Sequence, residues 1–350
     1  MLQAPPAGDI GDLDVPLVAG RPVAFMAEQH TIVVVSDIHY ASEGEIARRG
    51  HESRVIHGLF LRLLAKAFRH YIWLRDPLAH NHLLPAFIRR APPAPWVVAN
   101  GDYSCDSQFT GLCDEAAYDS ARVCLDALRA AFGDRLRLVY GDHELGKRSL
   151  FGGAGGLRWQ SFEVCRERLA MRPFWQERIG NLVLMGVVSS LLALPVYEPE
   201  TLEEERTAWW NVREAHLRDI RAAFAALGRT DRVLLFCHDP TALPFLAKES
   251  KVVARMDQIE ATIIGHLHSD LMMWASGMLA GMPEIRWMGN AVRRMSAALH
   301  EARCWRRFHV RLCPSLSGSE LLKDGGFLRL DWHEETQRLD ITRQRMPRTG

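Results

Sequence analysis

The sequence predicts an α/β protein with two packed sheets, on three observations. Short apolar runs alternate with helical periodicity from residue 31 to about residue 264. Five of those runs end on aspartate, histidine or both, and in α/β sheets ligands gather beyond the carboxyl ends of the strands. The later strands have too few helices between them to continue one parallel sheet, so a second sheet is needed.

A chain of 350 residues buries a large core, as one big domain or two, and we read one domain over residues 1–350. Hydrophobic content of 48% and charged content of 24% fit an ordinary soluble globular protein, and a net charge of +1 gives no global argument for nucleic acid. Seven cysteines without regular spacing read as reduced thiols of a cytosolic protein, and Cys237 as a small hydrophobe in a strand. The N-terminus lacks the basic start and apolar core of a signal peptide. The longest uncharged run, residues 181–197, falls short of the ~20 residues of a spanning helix. The expected location is cytoplasmic, soluble or peripheral to a membrane.

The elements follow in order. Residues 1–30 are rich in Pro and Gly, with a strand-like patch at 15–25. Residues 31–39, TIVVVSDIH, begin with a buried-strand run and end on Asp37 and His39. Residues 43–84 are helical in period, and RRAPPAP at 89–95 ends that segment. A strand at 96–100 opens onto Asp102, and a helix at 114–132 has Asp114 as its N-cap and Gly133 after its end. The strand at 136–140 opens onto Asp142, His143 and Glu144. A glycine-dense loop at 152–156 precedes a helix at 159–169, a strand at 182–188 and a long helix at 202–227. Strands at 232–237 and 261–264 deliver His238, and His266 with His268. Short strands at 285–288 and 306–312 and a hairpin of 327–332 with 338–343 complete the chain.

The five strand ends read SDIH, NGDYSCD, YGDHE, FCHDP and IGHLH. Residues two apart in extended chain point the same way, so Asp37 and His39 converge on one point. Aspartates and histidines are the side chains that hold two divalent ions a few Å apart. Each neighbouring glycine lets backbone turn sharply and approach such an ion.

In that order, across about residues 32–268, these motifs resemble those of the calcineurin-like metallophosphoesterase superfamily: D-x-H, G-D-x-x, G-N-H-E/D, a lone H and G-H-x-H. The resemblance implies a four-layer α/β/β/α sandwich of two mixed sheets and hydrolysis of a phosphoester or pyrophosphate by a metal-bridging hydroxide. It implies two divalent ions, Mn, Fe, Zn or Mg, with Asp37, His39 and His268 on the first and Asp142, His238 and His266 on the second. Asp102 would bridge both. His143 would stabilise the transferring phosphoryl group or protonate the leaving oxygen. Glu144 or Asp106 would orient a ligand or His143 from behind. The family has Asn where this chain has Asp142, which sets three carboxylates against two dications. That should tighten metal and weaken the pull on an anionic substrate. The second motif also lacks the D-R-G continuation of the Ser/Thr protein phosphatases. His80, His82, His216, His300 and His309 have no motif around them and read as surface residues.

Sixty-two residues separate His39 from Asp102, and residues 43–95 read as a helical lid-like insertion. Within residues 54–75, Arg62, Lys66, Arg69 and His70 share one helical face, with Phe60, Leu64, Ala67, Phe68 and Tyr71 opposite. Such a helix packs on the sandwich with a solvated basic face, or it meets an anionic membrane or caps an acyl-chain groove. A second basic cluster at 286–311 carries seven Arg and one Glu with Trp287 and Trp305 interleaved, which suits a phosphate-rich substrate or a lipid headgroup. Neither cluster has a nucleic-acid-binding motif. The expected substrate is therefore a phosphate-containing small molecule, lipid-linked or otherwise amphipathic; the UDP-diacylglucosamine pyrophosphohydrolases are similar in pairing this core with a helical lid. A soluble nucleotide phosphodiesterase is the rival enzyme. A non-catalytic metal-binding scaffold on the same fold is the rival of another class.

Overall fold

Two five-stranded mixed sheets pack face to face; the computed structural model describes them within residues 29–51, 56, 58–149 and 153–347. The patch expected at 15–25 lies outside the described residues. In the first sheet β1 (Gln29–Val35), β2 (Trp96–Asn100) and β3 (Leu136–Val139) run parallel. The second sheet has β4 (Trp175–Ile179) antiparallel to β5 (Leu182–Val187), then β6 (Arg232–Cys237), β7 (Ile259–Ile264) and β8 (Val310–Leu312) all parallel. The hairpin of β9 (Gly326–His333) and β10 (Arg338–Arg345) returns to the first sheet and pairs with β1.

Alternation along each strand builds three cores from one chain. Ile32, Val34 and Val98 face Leu184, Leu234 and Phe236 between the sheets. Their neighbours Val33, Val35 and Val97 face outward onto helices, as do Val183, Met185 and Cys237 on the other sheet. Strands covered on both faces read as unbroken apolar runs, which is why they stand out in the sequence. After α1 (Leu59–Tyr71), the outer layers include α2 (Leu83–Arg90) and α3 (Glu115–Phe132) on the side of the first sheet and α4 (Arg206–Ala225), α5 (Asp270–Met278) and α6 (Asn290–Glu301) around the second. Asp114 caps α3 as expected, accepting from the Ala117 N–H.

Several expectations are corrected. The helical period of 43–84 does not make one helix: Gly58 takes a φ of 98° at the start of α1, and Pro77 opens a separate turn after it. The helix expected at 202–227 begins at Arg206, after a tighter turn at Glu203–Glu205. No strand forms at 285–288, where Trp287 and Met288 lie exposed with no strand to pair with, because β propensity acts only on a surface that has a partner. Of 306–312 only Val310–Leu312 is strand. The sequence reading missed β4, an edge strand whose polar outward face hides its period, and helices α5 and α6.

His216 is buried rather than exposed, 2% accessible, and its Nε2 accepts from the Val188 N–H at 3.1 Å. Burial, aided by the Arg213 charge, pushes this imidazole down to about 3. It is therefore neutral in the native state while the unfolded chain protonates it near its ordinary value. Stability tied to His216 is present above about 6.5 and is lost as pH falls through that window toward 3. In His216→Gln the stability difference between pH 7.5 and pH 5 should shrink relative to wild type, read by urea unfolding at both pH values. An unchanged difference would place the proton elsewhere.

Candidate metal centre

The carboxyl ends of β1, β2, β3, β6 and β7 meet at one edge of the sandwich, and each delivers part of one polar cluster. The backbone turns abruptly there. Asp37, His39, Asp102, His266 and His268 all take left-handed conformations, with φ between 48° and 59°. Such conformations cost of order 1–3 kcal/mol each and gather where function requires a particular side-chain aim. Close approach also fixes two glycines: a Cβ on Gly141 would strike the Asp102 carboxylate, and one on Gly265 would strike Ser36 and Asp37.

Two donor clusters result, and they share one residue. Asp37, His39, Asp102 and His268 form the first, and Asp102, Asp142, His238 and His266 the second, with the ligand atoms in each within 4.8 Å of one another. Of these eight places only that of His266 is not fully buried. The tautomers expose the problem that a cation solves. His238 Nδ1 sits 2.6 Å from the Asn100 carbonyl and His39 Nδ1 3.1 Å from the Ser104 carbonyl, so both donate there. In each neutral ring, Nε2 is then a lone pair. His238 Nε2 faces Asp102 Oδ2 at 3.1 Å and Asp142 Oδ1 at 3.4 Å, while His39 Nε2 faces His268 Nε2 at 3.3 Å. Among the described residues, neither Asp102 Oδ2 nor His238 Nε2 has a hydrogen-bond partner. The His238 lone pair facing two carboxylates needs a positive charge between them, and oxygen and imidazole donors suit divalent ions. The residues present fit a pair of such ions.

The protonation preferences agree with this crowding. Burial and the neighbouring His268 push His39 down to about 4, and burial and Lys147 push His143 down to about 3. For His238, burial is outweighed by the Asp102 and Asp37 carboxylates, which push it well up. Asp102 is held down to about 2, its histidine neighbours overcoming burial and Asp142.

Around the donors stand residues that hold them. Glu144 accepts from the N–H groups of Asp102, Tyr103 and Gly141 at 2.7–2.9 Å, so it fixes the bend that carries Asp102. Asp106 instead accepts from Thr110 and Gly111 of its own loop. His143 donates from Nδ1 to the Cys105 carbonyl, receives no ligand role in either cluster, and keeps Nε2 3.7 Å from Asp102 Oδ2. Sequence reasoning missed Glu45, whose buried carboxylate accepts from Cys105 and Ser107, and Trp73, whose ring stacks on His268 at 4.6 Å. It also missed Lys147. The Lys147 ammonium lies 2.7 Å from Asp142 Oδ2, and the Asp142 and Asp102 charges outweigh burial to keep it protonated. The expected surplus of negative charge from Asp142 is thus offset by a cation five residues on.

Above the donors opens a cavity of about 510 Å³, a common size for small-molecule sites. Its floor includes His39, His143, His266 and His268, with Lys147 and the partly buried Arg294, which pairs with Glu200, on its wall. Phe68, Leu74, Met272, Met295 and Trp305 make the remainder largely apolar.

No protein-family profile matches the chain, and no curated protein matches it in sequence. Among solved structures the chain is similar to a phosphopantetheinyl hydrolase (PptH) from Mycobacterium tuberculosis, at 16% identity and a TM-score of 0.34, over 69% of this chain and 84% of that chain. At that distance the likeness carries no argument about activity.

Pairing of Asp142 with Lys147 is testable by a double-mutant cycle. Asp142→Asn leaves Lys147 as an uncompensated cation beside the second cluster and should lower the metal retained after dialysis. Adding Lys147→Met should restore much of it, with a coupling of about 1–3 kcal/mol in ion affinity. Additive losses, measured by elemental analysis and metal titration, would show that the two charges do not act together.

Proposed function

We propose that this chain is a calcineurin-like metallophosphoesterase, a single domain that hydrolyses a phosphoester or pyrophosphate bond in a substrate with an apolar part. The observation that carries this reading is the pair of donor clusters joined through Asp102 at one end of two sheets. In it, Asp37, His39 and His268 would hold one divalent ion and Asp142, His238 and His266 the other, with Asp102 common to both donor clusters. When bound, such a pair clamps a phosphoryl group and acidifies water to a nucleophile at neutral pH.

The chain's own groups then divide the remaining work. His143, anchored through Nδ1, points Nε2 at the cavity floor, where it holds a phosphoryl oxygen or passes a proton to the leaving oxygen. Lys147 balances Asp142, so an anionic substrate meets a less negative floor. Glu144 keeps Asp102 in its bend. The apolar upper cavity favours a lipid-linked or otherwise amphipathic molecule over a free nucleotide, with residues 43–95 as a lid and the protein working as a peripheral partner of a membrane.

Two variants test this reading. Asp102→Ala removes the shared donor, so metal content and phosphodiesterase activity should vanish together; two retained ions with most of the activity would sink the assignment. His143→Ala should keep its metal while kcat on a chromogenic phosphodiester falls ~10²–10³-fold. Loss of metal in that variant would make His143 a ligand.

A further inference from the structure

The mouth of the cavity is framed by two helices that are unusual in the same way. Neither α1 nor α5 contains a buried residue. Each turns one side to the cavity, through Ala65 and Phe68 on α1 and Met272 and Ser276 on α5. Each presents large apolar side chains to solvent on another side: Phe60 is 76% exposed, and Leu63 and Leu64 are also exposed, while Trp274 is 63% exposed with Met278 beside it. Trp287, 83% exposed, lies just before α6, which lines the same cavity through Met295. Scattered exposed apolar residues need no explanation, but a set concentrated around one opening marks an interaction surface.

Charge selects the partner. The α1 sequence LFLRLLAKAFRHY contains Arg62 and Lys66 and no acidic residue. The acids by α5 and the loop after it are already matched, Asp270 by Arg343 and Glu284 by Arg286. The rim is therefore apolar with a positive border. A second copy of the chain would bring the same positive border against it, whereas an anionic bilayer complements it. Exposed tryptophans suit that partner too, since the indole sits at the boundary of headgroup and hydrocarbon. Geometry gives the docking a purpose, because the apolar rim continues into the apolar cavity wall above the metal donors.

We propose that α1, α5 and the loop carrying Trp287 seat the cavity mouth on an anionic lipid surface, so that a membrane-borne phosphate compound slides its apolar part into the cavity without crossing water. The proposal deepens the phosphohydrolase reading and rests on it for the substrate, while the surface itself can be tested apart from catalysis. Full-length protein is floated with vesicles of phosphatidylcholine alone or with 30% phosphatidylglycerol, at low salt and at 0.5 M NaCl.

Partitioning should be at least ~10-fold stronger on the anionic vesicles and should fall with salt. Combined Phe60→Ser, Trp274→Ser and Trp287→Ser should lower it a further ~10-fold or more, with melting temperature and turnover of bis(p-nitrophenyl) phosphate unchanged. Lys66→Glu should weaken binding to the anionic vesicles about 5-fold or more and leave the neutral ones unaffected. Absence of vesicle binding, or binding that the triple variant leaves intact, overturns the proposal. So does a wild-type dimer in sedimentation velocity that the triple variant converts to monomer, which would assign the rim to a second copy. Vesicle binding by a chain that hydrolyses no phosphoester would overturn the enzymatic reading instead and leave the lipid surface standing.

Discussion

Buried lone pairs that face one another are the constraint on which this structure turns. In the neutral ring of His238, Nε2 is a lone pair 3.1 Å from Asp102 Oδ2, because the other nitrogen is committed to the Asn100 carbonyl. An arrangement of that kind is costly until a cation occupies it. The surrounding features serve its upkeep. Left-handed turns aim the donors, glycines let their backbones close together, and Glu144 uses three N–H groups to hold the bend at Asp102. The two sheets contribute by ending at one edge, so donors far apart in sequence share a space within 4.8 Å.

Charge balance around that space is local and deliberate in its placement. An aspartate at position 142 would by itself make the floor more negative and repel the phosphate that the site is proposed to bind. Lys147, 2.7 Å from that carboxylate, removes most of the penalty while lining the cavity. Asp142 and Lys147 are best regarded as one unit, because removing Lys147 leaves the buried Asp142 carboxylate without it and removing Asp142 leaves the partly buried ammonium without its partner. Arg294 adds a second, partly buried cation to the cavity wall, itself held by Glu200.

Polarity changes along the cavity in one direction. Its floor is histidine, carboxylate and ammonium; its wall is aromatic and aliphatic; its rim is apolar with arginine and lysine around it. A molecule with a phosphate at one end and hydrocarbon at the other satisfies all three zones at once. Trp73 couples them physically, stacking on His268 below and on Phe68 of α1 above. Movement of α1 therefore bears on the orientation of a proposed ligand.

Most of the strands, and the Asp and His residues past their ends, were legible in the sequence alone for one physical reason: both are local. A strand covered on both faces must be apolar throughout, and a residue that projects past its end needs only the next few positions, as in TIVVVSDIH and the run that ends on His238. Asp114 capping α3 was legible on the same ground. What only the tertiary structure decided depends on partners distant in sequence. It set Lys147 against Asp142, seated Glu45 beneath the loop of Cys105 and Ser107, and buried His216 against the Val188 N–H. It left 285–288 without a strand to pair with and turned Phe60 and Trp274 outward around the cavity mouth. Periodicity marks a face as apolar; what covers that face, if anything does, is set by the packing of the rest of the chain.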